Sequence, residues 1–390
     1  MVNKYAYVTG GADRQCMSLA GALRTSGHDV AFLAMESSRN VETRGAFVPT
    51  VMTRESRDEL GLRQRAHVLR NAIWNVDAAE SMRRLLRDFA PDVIHVHRLY
   101  PQLSVAPVVE ARGRGLPIVQ TLHDYEFLSA SAYDATGGWF DRREPRWSYR
   151  LLNTGTFVIR RRVHARAVAA WIAVSDHVAA VHEVRGIRAA VIPNFADVDR
   201  ARTSLSFDQR TGVAFLGALT PEKGVRDVLA LARDMRGVSV TIAGRGPLES
   251  EVEREAAALP NVVFRGHLDS VAAAQAMSAA RVVLVPSRWE EPFSLVAVEA
   301  MAMGTPVVAY RAGGLGENVA RSGAGLTVDA DWRALAAASS TLLFDRDLWQ
   351  TCSRAGHEAA NGVFSKEAHV RAVLAVYDRA RRRHRSARVE

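Results

Sequence analysis

Short apolar runs alternate with amphipathic stretches along this chain, and the alternation occurs twice. In the first half, Tyr5 to Thr9, Val30 to Ala34, Val93 to Val96, Ile118 to Leu122, Trp171 to Val174 and Ala190 to Ile192 read as buried strands. Between them lie helix-period stretches such as Gln15 to Arg24, with Met17, Ala20 and Leu23 on one face. The rhythm stops in the polar, aperiodic stretch Asp197 to Arg210, which reads as a linker. It restarts with Val213 to Leu216, Val238 to Ala243, Val262 to Phe264, Val282 to Val285, Val307 to Tyr310 and Gly325 to Val328. Helical patterns then run from Asp331 to the end. Apolar strands joined by helices predict an α/β fold with a doubly wound parallel sheet. Two such halves predict two Rossmann-like domains whose carboxyl-end crevices form one cleft. The boundaries fall at residues 1–200 and 201–365, with a helix and basic tail at 366–390 expected to cross back to the first domain. Glu126 to Tyr149 breaks the rhythm and reads as a loop or lid by the cleft.

Composition agrees with a soluble globular enzyme: 390 residues, 48% hydrophobic and 24% charged. No uncharged apolar run reaches the roughly 18 residues of a membrane span. Met1 to Gly10 reads as a strand rather than a signal peptide. Cys16 and Cys352 form no metal or redox spacing, which fits a reducing cytoplasm. The formal net charge of +9 is clustered: Arg160 to Arg162 form one group, and Arg379, Arg381, Arg382, Arg383, Arg385 and Arg388 another. No aromatic-plus-basic recognition motif or zinc-finger spacing accompanies them, so nucleic acid is not expected. Two readings stay open for the clusters. They are solvated helix ends, or the Arg-rich tail makes a peripheral contact with anionic lipid at the inner face of the membrane.

Of the 51 Lys and Arg residues, only Lys4, Lys223 and Lys366 are lysine. Lys223 stands in Gly217-Ala-Leu-Thr-Pro-Glu-Lys-Gly224, between an apolar strand and a helical stretch beginning at Val225. A helix N-terminus beside a lysine favours an anion such as phosphate, through free N–H groups and the helix dipole. A solvated turn lysine is the plainer reading. The second constellation is Glu291-Pro-Phe-Ser-Leu-Val-Ala-Val-Glu299, which follows the strand ending at Val285. Pro292 fits just before or at the first turn of a helix, so Glu291 lies in the loop and Glu299 inside the helix. Positions eight apart drift by about 80°, so both carboxylates share roughly one side but not one proton. Two acceptors spaced in this way suit a ligand with several hydroxyls. The N–H groups of Phe293, Ser294 and Leu295 are then available to phosphate or sugar oxygens.

This combination resembles glycosyltransferase family 4, the retaining nucleotide-sugar glycosyltransferases of GT-B fold. The resemblance rests on Glu-x7-Glu followed by Ala300-Met-Ala-Met-Gly304-Thr305-Pro306-Val-Val-Ala, then Gly313-Gly314 and Glu317. Gly10-Gly11-Ala12, Asp92-Val-Ile-His-Val-His97, Thr121-Leu-His123-Asp124, Ser175 and Val191-Ile-Pro193-Asn194 extend it through the first half. Pro221-Glu-Lys-Gly224 and Gly244-Arg245-Gly246-Pro-Leu248 extend it through the second. The resemblance implies that Glu299 accepts the ribose hydroxyls of a nucleotide diphosphate sugar and Glu291 those of the donor sugar. It implies that Lys223 neutralises the leaving diphosphate. Gly10 and Gly11 let the backbone approach the donor, and His123 lies beside the reacting carbon. No cofactor or metal is implied, and the acceptor is of unknown type. Two positions depart from the pattern. Ala218 stands where the family usually has Arg, leaving Arg226, Arg245 or Arg311 as substitutes, with Arg245 counted among the donor-binding residues. Ser294 stands where it usually has Gly.

Other chemistry is weaker. His95 and His97 alternate along a strand as metal ligands do, but the resemblance explains them as lining the inner cleft. Asp331 reads as a helix cap rather than part of a metal-binding Asp-x-Asp. Val8 to Ala12 opens like a dinucleotide site, but no Gly-x-Gly-x-x-Gly follows. A GT-B epimerase or phosphorylase, or a non-catalytic sugar-nucleotide-binding protein, remains the alternative.

Overall fold

The apolar runs become strands because parallel strands covered by helices on both faces need apolar side chains on both. In the computed structural model, which describes residues 1–49, 70–130, 135, 147–198 and 205–386, they fall into two units. The first comprises Met1–Val174, Val178–Ile192 and Val370–Glu390, and the second Ser175–His177 and Pro193–His369. The division therefore comes earlier than the expected residue 200. Pro193 and Ala196 are hydrogen-bonded to His369 and Phe364 of the second unit, which draws this stretch into it. Val370, Val373, Val376 and Ala380 of the helix Lys366–Ser386 share a core with Leu19, Leu23, Val119 and Ile172 of the first.

In the first unit, strands β1 (Phe32–Met35) and β2 (Gly45–Val48) pair in parallel. Strands β3 (Ile94–Val96), β4 (Ile118–Leu122), β5 (Val168–Ala173) and β6 (Ala189–Val191) form a second parallel set in that order. Val2 bridges the two sets, pairing with Leu33 on one side and Val96 on the other. The chain's first residues thus occupy the sheet centre, and the order is doubly wound with its switch point between Val2 and β3. The expected strand Tyr5 to Thr9 is corrected by this arrangement. Asn3 donates to the Tyr5 carbonyl and to Asp13, turning the chain out of the sheet, and Val8 is 48% exposed. Most of the stretch expected to be a lid, residues 131–134 and 136–146, lies outside the described residues.

The second unit holds a parallel sheet in the order β12-β11-β10-β7-β8-β9. Its strands are β7 (Val213–Leu216), β8 (Val240–Ala243), β9 (Val262–Phe264), β10 (Val282–Val285), β11 (Val307–Tyr310) and β12 (Gly325–Val328). Again the order reverses between the first strand and the fourth, here β7 and β10. The loops leaving their carboxyl ends flank the crevice where ligands bind in such sheets. Among the described residues no helix is long and apolar enough to cross a membrane.

Candidate functional site

The loop after β7 carries Lys223, and the loop after β10 carries Glu291. The structure brings them together: Lys223 Nζ lies 2.7 Å from Glu291 Oε1. Ser287 donates to the other carboxylate oxygen. Glu291 is 8% exposed, so the pair is shielded enough for its attraction to exceed that of a surface ion pair. Lys223 ends a short 3-10 turn, Pro221–Lys223, which closes on Gly224 at φ 73°. A Cβ at Gly224 would overlap the carbonyl oxygen of Pro286. That close approach of backbone to backbone sets the lysine beside the acid.

A second polar group fixes the same loops. Arg288 donates twice to Asp227 at 2.7 Å, and the Tyr310 hydroxyl donates to Asp227 at 2.9 Å. The Arg288 N–H donates to the Glu222 carbonyl at 2.8 Å. This clamp ties the β10 loop to the first turn of the helix Val225–Asp234. No local spacing announces it, since Asp227 and Arg288 are 61 residues apart.

Glu299 is buried on the helix Leu295–Ala302, and Pro292 precedes that helix in the loop with Glu291. The N–H groups of Phe293, Ser294 and Leu295 take no partner among the described residues. Ser294 caps the helix at φ 74° and ψ 96°, accepting weakly from the Ala297 N–H at 3.5 Å. A serine in this region carries backbone strain that glycine does not. Ser294→Gly should therefore stabilise the protein by about 1 kcal/mol, the strain relief exceeding the loss of a poor cap. Chemical denaturation checks this, and a destabilised variant would contradict it.

Of the three arginines expected as substitutes for the one missing at Ala218, two are engaged. Arg226 is bidentate to Glu251 at 2.8 Å, and Arg311 pairs with Asp329 at 3.1 Å. Arg245 is exposed and has no side-chain partner among the described residues. Its carbonyl accepts from the Leu219 N–H at 2.8 Å, which fixes its backbone against the loop that carries Ala218.

The remaining predicted residues lie in the first unit. Gly10 caps the helix Gly11–Thr25 in extended conformation, with open space where a Cβ would point. His123, just after β4, meets His97 Nδ1 through its Nε2 at 2.9 Å. Next to it, Asp124 pairs with Arg98 at 3.4 Å and accepts from the Glu126 N–H. Burial, reinforced by Asp124, pushes the Glu126 carboxyl up to about 7. Of the Arg160 to Arg162 cluster only Arg162 is exposed. Arg160 is buried and donates to the carbonyls of Glu126 and Ser129, while Arg161 donates to Phe127 and Arg185. Within the basic tail, Arg381 pairs with Asp92 at 3.0 Å. No cluster of three metal-binding side chains occurs among the described residues. The His95 and His97 rings pack against one another at a 33° tilt, and Asp331 caps the helix Trp332–Phe344.

Residues 9–200 match Glycosyltransferase Family 4, and residues 210–345 match Glycosyl transferases group 1. The phosphatidyl-myo-inositol mannosyltransferase of Mycolicibacterium smegmatis is 30% identical over 92% of this chain and 86% of its own. A glycogen synthase of Mycobacterium tuberculosis is 28% identical over 97% of this chain and 93% of its own. Among solved structures, HepE of Anabaena in complex with UDP-glucose superposes with a TM-score of 0.70 at 20% identity, covering 97% of this chain and 98% of that one. Sucrose-phosphate synthase from Thermosynechococcus elongatus gives 0.68 at 22% identity, covering 96% and 95%. The two α/β units are those of the GT-B fold, and the chain belongs to glycosyltransferase family 4.

Proposed function

We propose that this glycosyltransferase is retaining and metal-independent, and moves a sugar from a nucleotide diphosphate sugar to an acceptor hydroxyl. The bond from the sugar carbon to the diphosphate breaks, and a bond to the acceptor oxygen forms on the same face. The acceptor's proton passes to the departing diphosphate. Lys223 carries the reading, because it sits at the switch point of the second sheet with Glu291 at 2.7 Å. There it meets the negative charge that grows on the leaving phosphate. The amides of residues 293–295 and the exposed Arg245 would hold the diphosphate. Glu299 would take the ribose and Glu291 the transferred sugar. His123, Gly10 and Gly11 would also contact the donor. The protein is proposed to be cytoplasmic.

Two variants test the assignment of the carboxylates. Glu299→Gln should weaken binding of UDP, or of whichever nucleotide diphosphate the protein binds, by about 10-fold, since ribose hydroxyls lose a charged acceptor. Glu291→Gln should leave that affinity unchanged or tighter, because it removes a negative charge from beside Lys223. Titration calorimetry decides the matter. Equal weakening by both variants would overturn the division of ribose and sugar between them.

Ala218 favours a second reading, in which the protein binds the donor without transferring its sugar. Release of nucleotide diphosphate that depends on an acceptor separates the two.

A further inference from the structure

The carboxyl ends of β3 and β4 carry imidazoles in contact. His95 Nδ1 lies 2.7 Å from the Tyr377 hydroxyl, and its Nε2 lies 2.7 Å from the Thr121 hydroxyl. The His95 and His97 rings lie tilted at 33° with centroids 4.2 Å apart, and the His97 and His123 rings stack with centroids 5.2 Å apart at 24°. His97 Nδ1 then meets His123 Nε2 at 2.9 Å. His95 and His97 are both 2% exposed, whereas His123 is half-buried.

A hydrogen bond between two imidazole nitrogens needs one N–H and one lone pair. The state of His97 Nδ1 therefore selects the state of His123 Nε2. In a neutral ring, that selection also fixes whether the other nitrogen of His123 donates or accepts. The stack holds the ring plane at the same time. His97 is locked from behind by His95, which Tyr377 and Thr121 grip at both nitrogens.

We propose that His97 is a positioning residue that sets the tautomer and ring orientation of His123. The inference rests on the reading of His123 as a group beside the reacting carbon. It goes beyond that reading by naming the residue that prepares it, and by giving Tyr377 of the carboxy-terminal helix a place in the same chain of contacts.

The test has a spectroscopic arm and a kinetic arm. With isotope-labelled histidine in the full-length protein, the ring-nitrogen shifts of His123 should report a single tautomer. His97→Phe, which keeps a flat ring but no hydrogen bond, should release His123 into exchange between tautomers. Consumption of UDP-glucose or GDP-mannose, whichever the intact protein uses, should fall about 10- to 100-fold in kcat with little change in donor KM. His97→Asn, whose amide reaches near the position of Nδ1, should restore most of the loss.

An unchanged His123 tautomer together with kcat within about 3-fold in His97→Phe would overturn the inference. If that variant does not fold, the intact protein still decides: a His123 that already exchanges between tautomers overturns it. The double variant His97→Phe/His123→Ala should be no worse than His123→Ala alone, and multiplied losses would contradict action through His123. Failure of the underlying reading looks different. His123→Ala would then keep full turnover, while the tautomer arm would still report on His97.

Discussion

Lys223→Ala should lower turnover by about 100- to 1,000-fold, a loss of roughly 2.7–4 kcal/mol, and weaken donor binding by much less. The asymmetry follows from where charge develops. In the proposed ground state the diphosphate would be bound by loop amides as well as by the lysine. In the transition state the bridging oxygen gains negative charge, and Lys223 is the cation seated at the switch point to meet it. The pair with Glu291 at 2.7 Å sharpens the expectation. Without the lysine, the buried Glu291 carboxylate keeps Ser287 as a donor and opposes the leaving group by like-charge repulsion. Steady-state kinetics with the donor that the protein consumes provides the check. Turnover within about 3-fold of the intact protein would remove Lys223 from the diphosphate site.

Gly224→Ala should destabilise the second unit by about 2–5 kcal/mol and abolish nucleotide binding without touching a charged group. Left-handed backbone costs about 1–2 kcal/mol for a residue with a Cβ, and forced overpacking adds about 1–3. Here the added methyl would meet the Pro286 carbonyl, a backbone atom that no rotamer change moves aside. Pro286 begins the loop that carries Ser287, Arg288 and Glu291, so relief requires this loop to retreat from the Lys223 turn. The Arg288–Asp227 clamp opposes that retreat, and the conflict is what unfolds the unit. Denaturant titration with calorimetry on the folded fraction tests both parts. Unchanged stability with normal nucleotide affinity would show that the two loops do not pack as described.

The strands of the second unit were legible because most are apolar on both faces, and β7, β9, β10, β11 and β12 begin and end where the apolar runs do. The first unit was less legible for physical reasons. Gly45–Val48 is exposed at its start, half-buried at Ala46 and Phe47 and buried only at Val48, so it lacks the continuous apolar signal of a buried strand. Met1–Lys4 is too short and polar to announce itself, yet its backbone fills the sheet centre between Leu33 and Val96. Lys223, Glu291 and Glu299 stood out through local spacing. The long-range contacts did not: Asp227 and Arg288, which fix the loops of Lys223 and Glu291, meet across 61 residues, and His95 and Tyr377, behind His97, across 282. Such contacts are products of the fold and leave no periodicity. Arg160 and Arg161 show the opposite failure. A run of like charges reads as solvated, but these two turn inward because loop carbonyls need donors there.

The proposed reaction transfers a sugar from a nucleotide diphosphate sugar with retention at the sugar carbon. The direct measurement combines the purified protein with a donor that raises its melting temperature and a panel of hydroxyl acceptors. Nucleotide diphosphate release and the anomeric configuration of the product are followed by nuclear magnetic resonance. The account predicts acceptor-dependent release and a product with the anomeric configuration of the donor. An inverted product, or a firmly bound donor that no acceptor discharges, would contradict it.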